Sequence, residues 1–246
     1  MRYLISFIFA GIFALFTSSI NFWSTDSENP KNKAFVVEQL FTSQGCSNCP
    51  SADRALEGLK NTDKNNENVV LLSYHVDYWN RLGWKDPFSK AKYTNLQRSY
   101  GDSYTPQAVI NGKYGFVGSN RSKLNRRVKE ALNTSAKNSV KISKCSKSRG
   151  KITFDYQLNG SLNGEKLVAA LALENRKTKI GRGENGGKTL SNSNVVVNQK
   201  ILKPKQSGTV ELKVPKLVKD GEPLLLAIFI QKDDLEITGA SKKHLP

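Results

Sequence analysis

The stretch FVVEQLFTSQGCSNCPSADRALEGL, residues 35–59, holds two of the three cysteines of this 246-residue chain. It begins with an apolar run typical of a β-strand, continues through the Cys-x-x-Cys pair Cys46 and Cys49, and ends in apolar residues at helical spacing. This order places the cysteine pair at the N-terminus of a helix. Unpaired backbone N–H groups and the helix dipole favour an anion there, so the pair is a candidate for thiolate chemistry.

Residues 1–23 have the pattern of an export signal. A short basic start with Arg2 precedes the apolar run LISFIFAGIFALF, residues 4–16, and this order predicts a signal peptide rather than a domain helix. Ile20, Phe22 and Trp23 prolong the apolar character, so an uncleaved membrane anchor is the alternative. We expect an exported protein, periplasmic or extracellular, in a compartment where a cysteine pair stays oxidised.

The chain is strongly basic, with 38 Lys and Arg against 21 Asp and Glu and a net charge of +17. Such a balance raises nucleic acid as a partner, but the lysines are scattered and an exported protein rarely meets nucleic acid. The densest basic group lines the solvent side of an amphipathic helix and comprises Arg121, Lys123, Arg126, Arg127 and Lys129. We expect no nucleic-acid partner, and attraction to anionic surfaces of the cell envelope.

Residues 34–136 predict an α/β domain. The apolar run VVLLSYHV, residues 69–76, is typical of a buried parallel strand, and a second helix is expected within residues 89–100. YTPQAVI, residues 104–110, leads into a strand, and the following Asn-Gly predicts a two-residue hairpin turn to KYGFV. With the first strand and helix and the final basic helix, this is the element order of the thioredoxin fold.

Pro106 adds a second signal. It stands just before the strand that starts the hairpin, where thioredoxin-like proteins carry a cis-proline facing the cysteines. Most X-Pro bonds are trans, but in this context we expect the Thr105–Pro106 bond to be cis.

Residues 140–246 predict β structure. The runs KITFDYQL, KLVAALALE, NVVVNQKIL, GTVELKV and PLLLAIFIQK, separated by turn residues, indicate a β-sandwich of about seven strands. GRGENGGKT, residues 181–189, lacks a glycine that a phosphate-binding loop requires, because Arg182 occupies its place; we expect a surface loop packed near the first domain. Cys145 is expected to be an unpaired thiol. The predicted fold class is an α/β thioredoxin-like domain followed by an all-β sandwich-like domain.

Several motifs resemble a known family. LFTSQGCSNCPSAD, YHVDYWNRLGWKDPF, YTPQAVING, GENGGKTLSNSNVV and the closing IQKDDLEITGA are similar to motifs of the bacterial secreted domain-of-unknown-function family 1223. The family usually has an acidic residue directly before Leu-Phe-Thr-Ser, whereas this chain has Gln39 there and Glu38 one place earlier. Because a one-residue shift in a strand reverses the side-chain face, we assign no acid–base role to Glu38. The resemblance implies a thioredoxin-like fold and an unassigned activity.

The chemistry of the cysteines predicts the function. Thiol–disulfide exchange needs an attacking thiolate, a resolving thiol and access for the partner. Cys46 is the expected nucleophile, exposed and with a lowered pKa; Cys49 is the resolving thiol, and Pro106 faces them. We predict an exported thiol–disulfide oxidoreductase without a cofactor, acting on protein or small-molecule thiols and disulfides of the cell envelope. An inert local disulfide is the alternative.

Four further residues are auxiliary candidates. His75 and Asp77 end the second strand, and the carboxyl ends of parallel strands line the functional crevice of an open α/β sheet. We expect both near Cys46, together with Trp79. His75 is either a proton shuttle or hydrogen-bonded into the fold, and Trp79 is either a substrate platform or part of the core. Thr105, directly before the proline, is the fourth.

A metal site is the alternative to redox chemistry. Cys46, Cys49 and His75 would supply two thiolates and an imidazole, a set that suits copper or zinc. The chain has one other histidine, His244, near its C-terminus, and no second Cys-x-x-Cys. The second hypothesis is therefore a non-catalytic module that binds metal or a peptide in the same crevice.

Overall fold

The computed structural model describes residues 32–63, 65–101 and 103–245. The signal peptide or anchor predicted over residues 1–23 lies outside them. These described residues cluster as one compact unit. Within the described ranges, no helix has the length and apolar character needed to cross a membrane.

The first half of the chain has the predicted order of elements. These are β1 (Val36–Thr42), α1 (Pro50–Thr62), β2 (Val69–His75), α2 (Ala91–Arg98), β3 (Gln107–Ile110), β4 (Tyr114–Val117) and α3 (Arg121–Leu132). Proline at the first helical position begins α1, where its fixed φ suits a helix and its missing N–H is not needed. The side chain of Asn120 caps α3 by accepting a hydrogen bond from the Lys123 N–H at 3.0 Å.

The second half contains seven strands, the number predicted. They are β5 (Ser139–Ser148), β6 (Lys151–Asn159), β7 (Glu165–Lys179), β8 (Thr189–Leu202), β9 (Ser207–Lys213), β10 (Leu224–Lys232) and β11 (Ile237–Leu245). Three of them form a small sheet in the order β5-β6-β9. The other four join the strands of the first half in one sheet with the order β11-β10-β7-β8-β2-β1-β3-β4.

The predicted fold class is wrong. The structure is mostly β, with 45% strand and 17% helix, rather than a helix-rich α/β domain followed by a separate sandwich. The physical reason lies at the edge of β2, where β8 pairs in parallel with Ser73 opposite Val195. The buried Asn194 donates from Nδ2 to the Leu71 carbonyl at 3.0 Å. Without β8, this edge of β2 would be unpaired. Because β8 continues the sheet there, strands from the first and the second half of the chain belong to one sheet.

The large sheet is covered on both faces. On one face, α1 and α3 cover the first-half strands and the small sheet covers the second-half strands. On the other face, α2 contributes Tyr93 to an apolar layer that includes Phe41, Tyr74 and Phe229. A sheet covered on both faces requires strands that are apolar on both sides, which explains the continuous apolar runs of β2 and β10.

The β3–β4 turn is one residue longer than predicted. Ile110 pairs with Tyr114, which leaves Asn111, Gly112 and Lys113 in the loop. Asn111 and Gly112 have positive φ angles of 48° and 73°, the left-handed conformation that glycine and asparagine adopt at low cost.

Candidate functional site

The cysteine loop lies at the carboxyl ends of the parallel strands β1 and β2. Thr42, the last residue of β1, is paired with His75, the last residue of β2. The loop that follows β1 leads directly into α1. The first turn of α1 and the carboxyl end of β2 therefore meet at the same place.

Cys46 and Cys49 form a disulfide, with their Cα atoms 5.4 Å apart. Cys49 is the N-cap residue of α1. The two cysteines are 1% and 0% exposed, so the prediction of an exposed Cys46 is wrong for the oxidised pair. Ser47 and Asn48, between them, are exposed.

The loop before β3 lies against the disulfide. The Thr105–Pro106 bond is cis, as expected, and Cys46 Sγ is 3.8 Å from the Thr105 carbonyl oxygen. Trp79 donates from Nε1 to Thr105 Oγ1 at 2.8 Å. A Cβ atom on Gly45 would lie 3.0 Å from Trp79 Cβ, so glycine at this position lets Trp79 approach the cysteine loop closely.

An open groove borders the cysteine pair. Its walls come from the start of α1, the residues around the cis bond and the start of β8, and include Asn48, Arg54, Pro106 and Lys188. An extended polypeptide or a small thiol that enters this groove meets the exposed residues of the Cys-x-x-Cys loop.

His75 forms a buried pair with Asp86, with Nδ1 2.7 Å from Oδ2. Asp86 also accepts hydrogen bonds from the backbone N–H groups of Gln44 at 2.8 Å and Phe88 at 2.9 Å. Burial alone would lower the pKa of His75, but the Asp86 carboxylate outweighs it and the pKa is raised. Burial would raise the pKa of Asp86, but His75 and the backbone donors hold it below its usual range. The arrangement fits the alternative in which His75 is hydrogen-bonded into the fold.

Asp53 is a further buried carboxyl, in the first turn of α1. It lies one turn after Cys49 on the same face of α1 and is 5% exposed. Burial raises its pKa to about 7, against the lowering effects of His75, Thr42 and Asn192. A carboxyl with such a pKa exchanges its proton near neutral pH.

The glycine-rich residues 181–188, which we call the clamp loop, hold the backbone of the cysteine loop. The buried Asn185 donates from Nδ2 to the carbonyl oxygens of Gln44 at 3.0 Å and Cys46 at 2.9 Å. Glu184 accepts a hydrogen bond from the Ser47 N–H at 3.0 Å. The prediction that this loop packs near the cysteine-bearing half of the chain is confirmed.

The other sequence candidates lie around the cysteine loop with different partners. Asp77 accepts a hydrogen bond from Thr94 Oγ1 at 2.6 Å, which ties the end of β2 to α2 rather than to the disulfide. Trp84, in the motif YHVDYWNRLGWKDPF, donates from Nε1 to Gln44 Oε1 at 3.2 Å and so supports the cysteine loop. Cys145 is free and partly buried, as expected.

Sequence reasoning missed Asp53, Asp86, Glu184 and Asn185. Asp53 had a readable signal, because it is a carboxylate three residues before Leu56 on the apolar stripe of α1. The other three follow from contacts between distant segments, for which no local pattern exists.

The three proposed metal ligands do not converge. Cys46 and Cys49 are bonded to each other, and Nδ1 of His75 faces Asp86. In the part of the chain that the structure describes, no group of three or more His, Cys, Asp or Glu side chains is arranged to hold a metal ion.

Fold and site together define a mostly β protein with a Cys-x-x-Cys disulfide at the start of a helix. Residues 36–231 match the family described as "Protein of unknown function (DUF1223)", and the chain belongs to that family. The family resemblance seen in the sequence motifs is confirmed. No curated protein matches the chain significantly.

Two solved structures have a similar fold. The X-ray structure of a protein from Agrobacterium tumefaciens is 24% identical, covers 87% of this chain and 95% of its own, and has a TM-score of 0.62. HBP35 of Porphyromonas gingivalis is 18% identical, covers 86% of this chain and 75% of its own, and has a TM-score of 0.59. At these identities the likeness concerns the fold alone.

Proposed function

We propose that the protein is a thiol–disulfide oxidoreductase that works through Cys46 and Cys49. The observation that carries this proposal is their disulfide at the N-terminus of α1, beside a groove that a partner can enter. Its partners are thiols and disulfides of proteins or small molecules outside the cytosol, where such a pair persists in the oxidised form.

The exchange proceeds in two attacks on sulfur. A partner thiolate attacks Cys46 Sγ; a bond forms between these two sulfurs as the Cys46–Cys49 bond breaks, and Cys49 leaves as a thiolate. A second partner thiol, deprotonated, attacks the mixed disulfide and releases Cys46. The partner has then lost two electrons and become a disulfide, and the protein is a dithiol. The reverse sequence reduces the partner.

Asp53 supports the exchange by handling the proton of Cys49. Its position one turn after Cys49, on the same face of α1, brings it near the leaving sulfur. Because burial raises its pKa to about 7, it can give a proton to the Cys49 thiolate and take it back. The two residues of the buried His75–Asp86 pair act on Asp53 in opposite directions. The charge of His75 lowers the pKa of Asp53, and the charge of Asp86 raises it.

Trapping of mixed disulfides tests the proposal. Cys49→Ser leaves Cys46 without a resolving thiol, so its thiolate attacks a partner disulfide, displaces one partner thiolate and stays bonded to the other partner sulfur. We therefore expect covalent adducts with envelope proteins that carry disulfides, which non-reducing electrophoresis detects and reductant removes. Cys46→Ser is expected to trap far fewer adducts, because in the proposed exchange Cys49 resolves the mixed disulfide and does not attack the partner. Cys145→Ser in the Cys49→Ser background is the matched control and keeps the adducts.

Two results would contradict the proposal. One is a Cys49→Ser protein that captures nothing from envelope extracts or from a peptide disulfide. The other is a wild-type disulfide that does not exchange with glutathione in the native state.

A further inference from the structure

The carboxylate of Glu184, in the clamp loop, contacts the backbone of the Cys-x-x-Cys loop. Glu184 Oε2 accepts a hydrogen bond from the N–H of Ser47, the residue directly after Cys46. The hydrogen bonds from Ser47 lower the pKa of Glu184, so the side chain is ionised at neutral pH. A negative charge therefore lies beside the residue on which a thiolate forms when the disulfide is reduced.

This contact opposes the usual effect of a helix N-terminus. Free N–H groups there stabilise a thiolate and lower its pKa. The Ser47 N–H precedes α1 and is already bonded to Glu184, so a Cys46 thiolate would compete with Glu184 for this neighbouring donor and be repelled by its charge. The disulfide is uncharged and meets neither penalty.

Other charged groups lie near the pair, but among the described residues none forms an ion pair with Glu184. Asp86 is compensated by His75, and Asp53 is a second carboxyl on the cysteine side of α1. Lys188 also lines the groove and keeps its positive charge, since its ammonium group is bonded to the neutral Asn185 Oδ1 at 3.1 Å. Arg54 is an exposed cation of the groove wall.

We propose that Glu184 poises the cysteine pair toward the disulfide, so that the protein donates electrons to its partners instead of accepting them. An oxidoreductase is a strong oxidant when its reduced form is stabilised; Glu184 does the opposite. In the forward reaction the dithiol reduces a partner disulfide to two thiols and becomes the Cys46–Cys49 disulfide. A dithiol donor then returns two electrons and two protons to the protein. This inference rests on the proposed function and adds the direction of electron flow.

The equilibrium constant with glutathione tests the role of Glu184. Glu184→Gln keeps an oxygen that can accept the Ser47 hydrogen bond but removes the charge. We expect the constant to shift toward the dithiol by about threefold or more, and the pKa of Cys46, followed by its alkylation rate with iodoacetamide, to fall. Glu211→Gln, an exposed glutamate of the small sheet paired with Lys151, removes the same charge elsewhere and should leave both values unchanged.

A second experiment tests the direction of electron flow. With dithiothreitol as the donor, the wild-type protein should accelerate the reduction of insulin disulfides. It should not accelerate the oxidation of reduced ribonuclease A in a glutathione buffer.

The outcomes separate this inference from the proposed function. If the wild-type pair exchanges with glutathione but Glu184→Gln leaves the constant unchanged or shifts it toward the disulfide, the inference is wrong and the oxidoreductase stands. Efficient oxidation of ribonuclease A by the wild type would also overturn it. A wild-type pair that does not exchange at all would overturn both.

Discussion

A glutamate carboxyl lies in the apolar layer between the large sheet and the helices α1 and α3. Glu38 lies on the same face of β1 as Val36 and Leu40, which belong to that layer. The residues paired with it on the neighbouring strands are Leu71 and Ile110. It is 1% exposed, and its Oε2 has no hydrogen-bond partner among the described residues. Burial raises its pKa to about 8, so the carboxyl is mainly protonated at neutral pH.

Glu38 should make the stability of the protein fall with rising pH. Its pKa is raised on folding, so the folded state holds the proton more tightly than the unfolded state. Stability is lost as the pH rises from the unfolded pKa toward about 8. We compare the unfolding free energy of Glu38→Gln with that of the wild type at each pH. The variant value minus the wild-type value should rise by about 4 kcal/mol between about pH 5 and about pH 9. Urea unfolding at several pH values measures this difference.

The exposed Glu211→Gln is the control for loss of a charge, and its difference from wild type should stay flat with pH. Parallel pH profiles for Glu38→Gln and the wild type would show that Glu38 titrates in the folded protein as it does in the unfolded chain.

At the scale of single elements, the β3–β4 turn is held against the β10–β11 turn. The Ile237 N–H donates to the Asn111 carbonyl at 3.0 Å. A Cβ atom on Gly112 would lie 1.7 Å from the Leu235 carbonyl oxygen. Because that obstacle is backbone, it cannot move as a flexible side chain would.

We expect Gly112→Ala to destabilise the protein by about 3 kcal/mol or more, since it combines a positive φ with a backbone clash. Gly150→Ala is the matched control, because Gly150 has a similar φ of 71° but open space around its Cβ. It should cost about 1–2 kcal/mol. Denaturant unfolding of the two variants gives the difference, and equal values would mean that the two turns separate at little cost.

At the scale of the whole molecule, the large sheet makes the two halves of the chain depend on each other. β2 lies between β1 and β8, and all seven of its residues are buried. Without β8, this apolar strand would become an exposed sheet edge, which is prone to pair with other chains.

A fragment of residues 32–136 should therefore fail to fold as a monomer, whereas residues 32–246 should unfold in one cooperative transition. Size-exclusion chromatography should find the fragment aggregated, and its thermal melt followed by circular dichroism should lack a sharp transition. A monomeric fragment with a cooperative melt would instead show that the first half is an independent domain.

Local features of the sequence determined the elements and the cysteine position. Periodicity of apolar residues identified the amphipathic helix α1 and the buried strand β2, because each depends on neighbours a few residues away. Pro50 at the first helical position is likewise set by local covalent geometry. Five of the seven strands described in the second half, β6 to β10, were readable for the same reason.

Tertiary structure alone decided how these elements join and what surrounds the disulfide. Periodicity shows that a strand is buried, but not which edge it pairs with, so the parallel β2–β8 contact was not foreseeable and the predicted fold class failed there. Glu184 is hydrogen-bonded to a residue 137 positions away, and Asn185 to one 141 positions away. Such contacts form because folding brings two hydrogen-bonding loops to the same end of the sheet, where the burial of Asn185 would make its unpaired amide costly.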